Sequence, residues 1–61
     1  MKKYGSFYVI QEGLSDPLWF DRYQDAVTEF KNLVGRHPER KAGVFLSGST
    51  SSLWWHFGDQ T

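Results

Sequence analysis

The hydrophobic pattern is clearest between residues 20 and 35, FDRYQDAVTEFKNLVG. Tyr23, Ala26, Val27, Phe30, Leu33 and Val34 recur at the three- and four-residue intervals of one helical stripe. The flanking residues predict a helix over about 22–34. Asp21 suits the N-cap, with Gln24 as its capping-box partner. Asp25 lies early and Lys31 and Arg36 late, as the helix dipole favours. Gly35 is expected to close the helix in a left-handed C′ conformation, and Pro38 to prevent its continuation.

The remaining pattern has the shorter period of strands. SFYVIQE is rich in β-branched and aromatic residues and reads as a first strand. Phe7 and Val9 share one face, Tyr8 and Ile10 the other. Both faces are apolar, so the pattern leaves open which is buried. EGLSDP reads as a turn. Leu18, Trp19 and Phe20 read as a short second strand whose pairing the sequence leaves open. RHPERK is a basic connection, AGVFL begins a third strand over about 42–47, GSTSS is a small-residue turn, and LWWHF, 53–57, is a fourth strand. The order β-β-α-β-β predicts an α+β fold. A single helix packs on a small three- or four-stranded, mainly antiparallel sheet, and residues 1–61 form one domain. If the first and third strands pair in parallel, their crossover through the helix is expected to be right-handed.

One helix covers one side of such a sheet. In the fourth strand Leu53, Trp55 and Phe57 form one set, and Trp54 and His56 the other. The bulkier set is expected in the core, against Phe30 and Leu33. That places Trp54, His56 and one of the pairs Phe7/Val9 or Tyr8/Ile10 on the open side. Large exposed apolar patches mark interaction sites. The expected partner-binding residues are therefore Trp54 as anchor, with His56 and Tyr8.

Length sharpens this expectation. A chain of 61 residues is short, and domains of about 60 residues bury only about 60% of their unfolded surface. With no cysteines, disulfides and thiolate metal sites are excluded. A dense aromatic core and association with another chain remain as stabilising devices. The 5 Phe, 3 Trp and 3 Tyr point to both, being more rings than one small core readily encloses.

Seven basic and seven acidic residues give a net charge of zero. This lacks the basic excess of a typical nucleic-acid binder and the acidic excess of a nucleic-acid mimic. The start, MKKYGSFYVIQEG, has no long apolar run and is read as neither a signal peptide nor a membrane span. A soluble, cytoplasmic protein is expected.

Chemical signatures are sparse. His37, His56 and Asp59 match no defined metal spacing. No second activated group accompanies the histidines for acid–base work. GSTSS lacks the lysine of a phosphate-binding loop. No enzyme activity, cofactor, metal or small-molecule ligand is expected. Arg36, His37, Arg40 and Lys41 fit either a solvated loop at a helix C-terminus or a contact to an acidic partner. Arg36, Arg40 and Lys41 are kept as partner-binding candidates.

A second reading is a single-stranded nucleic-acid module. Tyr8, Trp54 and Tyr4 would stack bases, with cations from Lys2, Lys3 and the 36–41 loop. The RRM signature is absent.

The stretch FDRYQDAVTEFKNL, entered from a short strand and followed by the aromatic strand LWWHF, resembles very small phage-encoded proteins in which a single helix packs on a small antiparallel sheet. Members of that group bind and block a host protein, such as a polymerase or a CRISPR–Cas defence complex. The resemblance implies a non-enzymatic protein-binding module, an inhibitor that acts by occlusion in the host cytoplasm. An uncovered aromatic face also favours a homodimer.

Overall fold

The computed structural model describes residues 5–58. Lys2, Lys3, Tyr4 and Asp59 lie outside them. Five elements follow in the order the sequence predicts: β1 (Phe7–Gln11), β2 (Leu18–Phe20), α1 (Tyr23–Arg36), β3 (Ala42–Leu46) and β4 (Ser52–His56). The fold is α+β, one helix on a four-stranded antiparallel open sheet of order β2-β1-β3-β4.

Leu18, Trp19 and Phe20 do pair as a strand, opposite Val9, Tyr8 and Phe7. β1 and β3 are antiparallel neighbours, so no parallel crossover joins them. The strands that the helix joins, β2 and β3, run in the same direction, each antiparallel to β1, which lies between them. Among the described residues no helix is long and apolar enough to cross a membrane.

The helix stripe behaves as its spacing dictates. Ala26, Val27, Phe30 and Leu33 are buried. Ala26, Phe30 and Leu33 form one cluster with Val9, Ala42 and Val44 of the sheet, flanked by Phe7, Leu18, Phe20 and Val34. The open question about β1 is thereby decided: Phe7 and Val9 face the helix. Gln11 follows on the same side and is buried, and its Nε2 donates to the Leu33 carbonyl at 3.0 Å. The end of β1 is thus pinned to the end of the helix by a satisfied polar group.

Both helix ends differ from expectation. The N-cap is Arg22, in extended backbone and without a side-chain cap bond; the Asp21–Gln24 box does not form. At the other end Gly35 is not among the glycines with positive φ, and the helix continues through it to Arg36. The stop is set by Pro38, because the residue before a proline is driven out of the helical region. His37 accordingly leaves helical geometry while its N–H still reaches the Leu33 carbonyl at 3.0 Å.

The core is not aromatic. Of the ten described Phe, Trp and Tyr residues only Phe30 is buried. The central layer is valine and alanine, with Val9 and Val44 the largest fully buried side chains. These small residues let the helix sit close to the sheet, and the large rings are displaced to its margins and its far side.

Gly35 is exposed, and nothing lies within 4 Å of a Cβ built on it. Gly35→Ala should therefore stabilise the fold by about 0.5–1 kcal/mol in urea unfolding, through helix propensity alone.

Candidate functional site

The side of the sheet opposite the helix carries a line of rings. Trp19, Tyr8 and Phe45 are direct register partners on β2, β1 and β3. Tyr8 lies 4.8 Å from Trp19, centroid to centroid, and 5.3 Å from Phe45. The Tyr8 and Phe45 planes are only 10° apart. At that separation two parallel rings cannot lie side by side in one plane; they overlap, each turning a face to the other.

One step along the strands Ile10, Gly43 and Trp55 are partners. Trp55 meets Phe45 edge-on at 6.4 Å and Phe57 edge-on at 6.0 Å. A Cβ on Gly43 would collide with the Trp55 ring, reaching Cζ3 at 2.7 Å. Glycine is therefore required there so that the indole can lie against the strand. Cross-strand aromatic pairs of this kind stabilise the sheet and fix its register. No side chain at positions 8, 10, 19, 43, 45 or 55 is charged.

Trp54 and His56 are not on this side. Trp54 stands opposite Val44 and His56 opposite Ala42, both buried beneath the helix. The Trp54 Nε1–H donates to the Tyr23 hydroxyl. Its ring lies 6.2 Å from Phe30, with the Lys31 ammonium 5.9 Å from the ring centroid. The helix packs over β1, β2 and β3, so Trp54 seals the helix flank and is still 41% exposed. His56 Nε2 is 2.7 Å from the Pro38 carbonyl. A carbonyl only accepts, so that nitrogen carries the proton.

The expected core set of Leu53, Trp55 and Phe57 is thus corrected: Trp55 lies on the open side and all three are exposed. The cause is a bulge. Phe45 pairs with Ser52 but Val44 pairs with Trp54, which leaves Leu53 unmatched. One extra residue flips every later side chain to the other face. Without it Trp54 would stand opposite Gly43, on the open side.

Tyr8 is on the open side as expected, at the centre of the ring line. The cations lie elsewhere. Arg36 ends the helix. In the loop that follows, Glu39 Oε2 sits 3.5 Å from His37 Nδ1 and 3.6 Å from Arg40 Nε. Lys41 is tied through its backbone to Glu12, whose N–H donates to the Lys41 carbonyl at 2.8 Å. Glu39 thus faces both His37 and Arg40 within the loop.

Sequence reasoning missed Trp19, Phe45, Trp55 and Phe57 as surface rings. An isolated glycine inside an apolar strand was the available signal, since it marks a close approach. Among the described residues no group of three or more His, Asp or Glu side chains could hold a metal ion. No protein-family model matches this sequence, and no curated protein and no solved structure matches it either.

Opposite outcomes are expected at the two faces. Trp54→Ala should cost about 1–2 kcal/mol of stability, through lost contacts to Phe30, Tyr23 and Lys31. Phe57→Ser, at a 74%-exposed ring outside the strands, should change stability by less than about 0.5 kcal/mol. Gly43→Ala should cost about 1–3 kcal/mol by forcing Trp55 off the strand. Chemical unfolding of the three variants measures all of this.

Proposed function

We propose that this chain is a non-enzymatic protein-binding module that docks a protein surface on the open sheet face around Tyr8, Phe45 and Trp55. It acts by occlusion, the mode implied by the resemblance to small phage-encoded inhibitors of host proteins. The observation that carries this reading is the uncharged ring line itself. The centres of protein interfaces are depleted in charge and enriched in Tyr, Trp and Phe, and anchors there are most often Trp and Tyr. Trp55 replaces Trp54 as the anchor of this site. Trp54 and His56 lie on the helix side, and Arg36, Arg40 and Lys41 lie at the helix end and in the loop after it.

The same geometry weighs against base stacking as the main use of the face. A nucleobase needs a ring face to lie on. Tyr8 already turns one face to Phe45 and has Trp19 tilted against it. Salt bridges of Glu39 also engage Arg40 and, when protonated, His37, which reduces the basic field that a phosphate backbone requires.

Affinity capture from a host lysate tests the proposal, with wild type, Trp55→Ser and Trp54→Ala as baits, each first shown to be folded. Capture of the same protein by wild type and Trp54→Ala, but not by Trp55→Ser, is the expected result. Loss with Trp54→Ala alone would move the interface to the helix side. Trp quenching by oligothymidylate with a steep salt dependence would replace the protein-docking reading with the nucleic-acid one.

A further inference from the structure

The two edges of the sheet are not alike. β2 is three residues long, is entered through Pro17 and is flanked by Asp16, Asp21 and Arg22. Short length, proline and charge are the devices that keep an edge strand from pairing with another chain. β4, at the other edge, holds no Pro, Asp, Glu, Lys or Arg. Its bulge at Leu53 is confined to the start of the strand and leaves Trp54, Trp55 and His56 in regular register. Leu53, Trp54, Trp55 and Phe57, on or beside this strand, are all exposed.

The register shows where the β4 backbone points. The Ser47 N–H donates to the Ser6 carbonyl at 2.7 Å and the Glu12 N–H to the Lys41 carbonyl at 2.8 Å. Both pairs continue the register of β1 and β3. Hydrogen-bonded and non-hydrogen-bonded pairs alternate along an antiparallel ladder. Between those two pairs the bonded ones are therefore Tyr8/Phe45 and Ile10/Gly43. Ala42 and Val44 turn their backbone groups the other way, to β4, where they face His56 and Trp54. Trp55 lies between these and directs its N–H and C=O out of the sheet. Among the described residues no strand or loop bonds them.

We propose that β4 is an open edge that pairs antiparallel with β4 of a second copy of this chain, about a two-fold axis through Trp55. An unpaired donor and acceptor on an edge strand are met by another extended strand. A second copy supplies a register in which the outward groups meet: Trp55 stands opposite Trp55, and each N–H donates to the other's carbonyl. The side chains agree with it. The two Trp55 indoles become cross-strand neighbours on the open side. Trp54 of each copy stands opposite His56 of the other, and Phe57 reaches toward Leu53. Aromatic cross-strand pairs stabilise such a ladder, and with no fixed charge in β4 no charge of one strand opposes its like. The helix packs over β1, β2 and β3, so the two helices stand apart on the same side of the joined sheet. The ring line of Trp19, Tyr8 and Phe45 stays uncovered, and the inference stands apart from the docking reading of that face.

Sedimentation equilibrium and amide hydrogen exchange over about 10 μM to 1 mM test this, a range suited to a small, transient interface. The expected result is a mass that rises from one chain toward two while exchange at the Trp55 amide slows in step. The Tyr8 amide, already bonded to Phe45, should be protected at every concentration. A chain made by chemical synthesis with the Trp55 amide N-methylated keeps every bond between β3 and β4, because that nitrogen points outward. It should stay folded by circular dichroism and raise the dissociation constant about tenfold or more. A single-chain mass throughout would overturn the inference, whether the Trp55 amide exchanges freely or is protected from within the chain. A dimer in which exchange at the Trp55 amide is the same at every concentration would overturn it without recourse to the variant. So would a dimer undiminished by the methylation.

Discussion

The contact on which the rest depends is the seating of Ala26, Phe30 and Leu33 on Val9, Ala42 and Val44. It is a small core, and it covers one side of β1, β2 and β3. Because strands alternate, committing Val9 and Val44 to the helix commits Tyr8 and Phe45 to the opposite side. No second helix exists among the described residues to cover them. The side on which these rings lie is therefore a consequence of the core. Gln11 reinforces the same choice of side by donating to the helix end from within the buried layer.

The bulge at Leu53 then distributes the aromatic run SLWWHF between two tasks. Trp54 goes to the helix flank, where Tyr23, Phe30 and Lys31 receive it. Trp55 goes to the open side, where Gly43 makes room for it. Each ring finds neighbours that a straight hairpin would have denied it. An unbulged β4 would press Trp54 onto Gly43 and leave Trp55 opposite Ala42, beneath the helix, where a core of valine and alanine has no space for an indole. What the open side keeps is an uncharged line of rings.

Element type and order were legible because they rest on periodicity. The Tyr23–Val34 stripe, the strand–turn–strand of residues 42–57 and the α+β class followed from spacing and turn residues, whereas the pairing of Leu18–Phe20 with β1 did not. Cap chemistry was less legible: Asp21 had the right composition but the helix begins after Arg22, and Pro38 rather than Gly35 sets its end. The candidate site was legible in nature but not in membership. An uncovered aromatic face was expected and Tyr8 belongs to it. Trp54 and His56 do not, because a single unmatched residue between Phe45–Ser52 and Val44–Trp54 reverses the alternation. No composition signal encodes that slip. It is fixed by packing of Trp55 on Gly43, a contact between residues that only the folded register brings together.

The central claim is this division of the paired tryptophans, and proton NMR tests it directly. Nuclear Overhauser contacts should connect the Trp54 indole to Phe30 and Lys31, and the Trp55 indole to the Gly43 α-protons, with those α-protons shifted upfield by the ring. Contacts from Trp54 to Gly43 or Phe45, with Trp55 against the helix, would contradict the bulged register and with it the assignment of the open face.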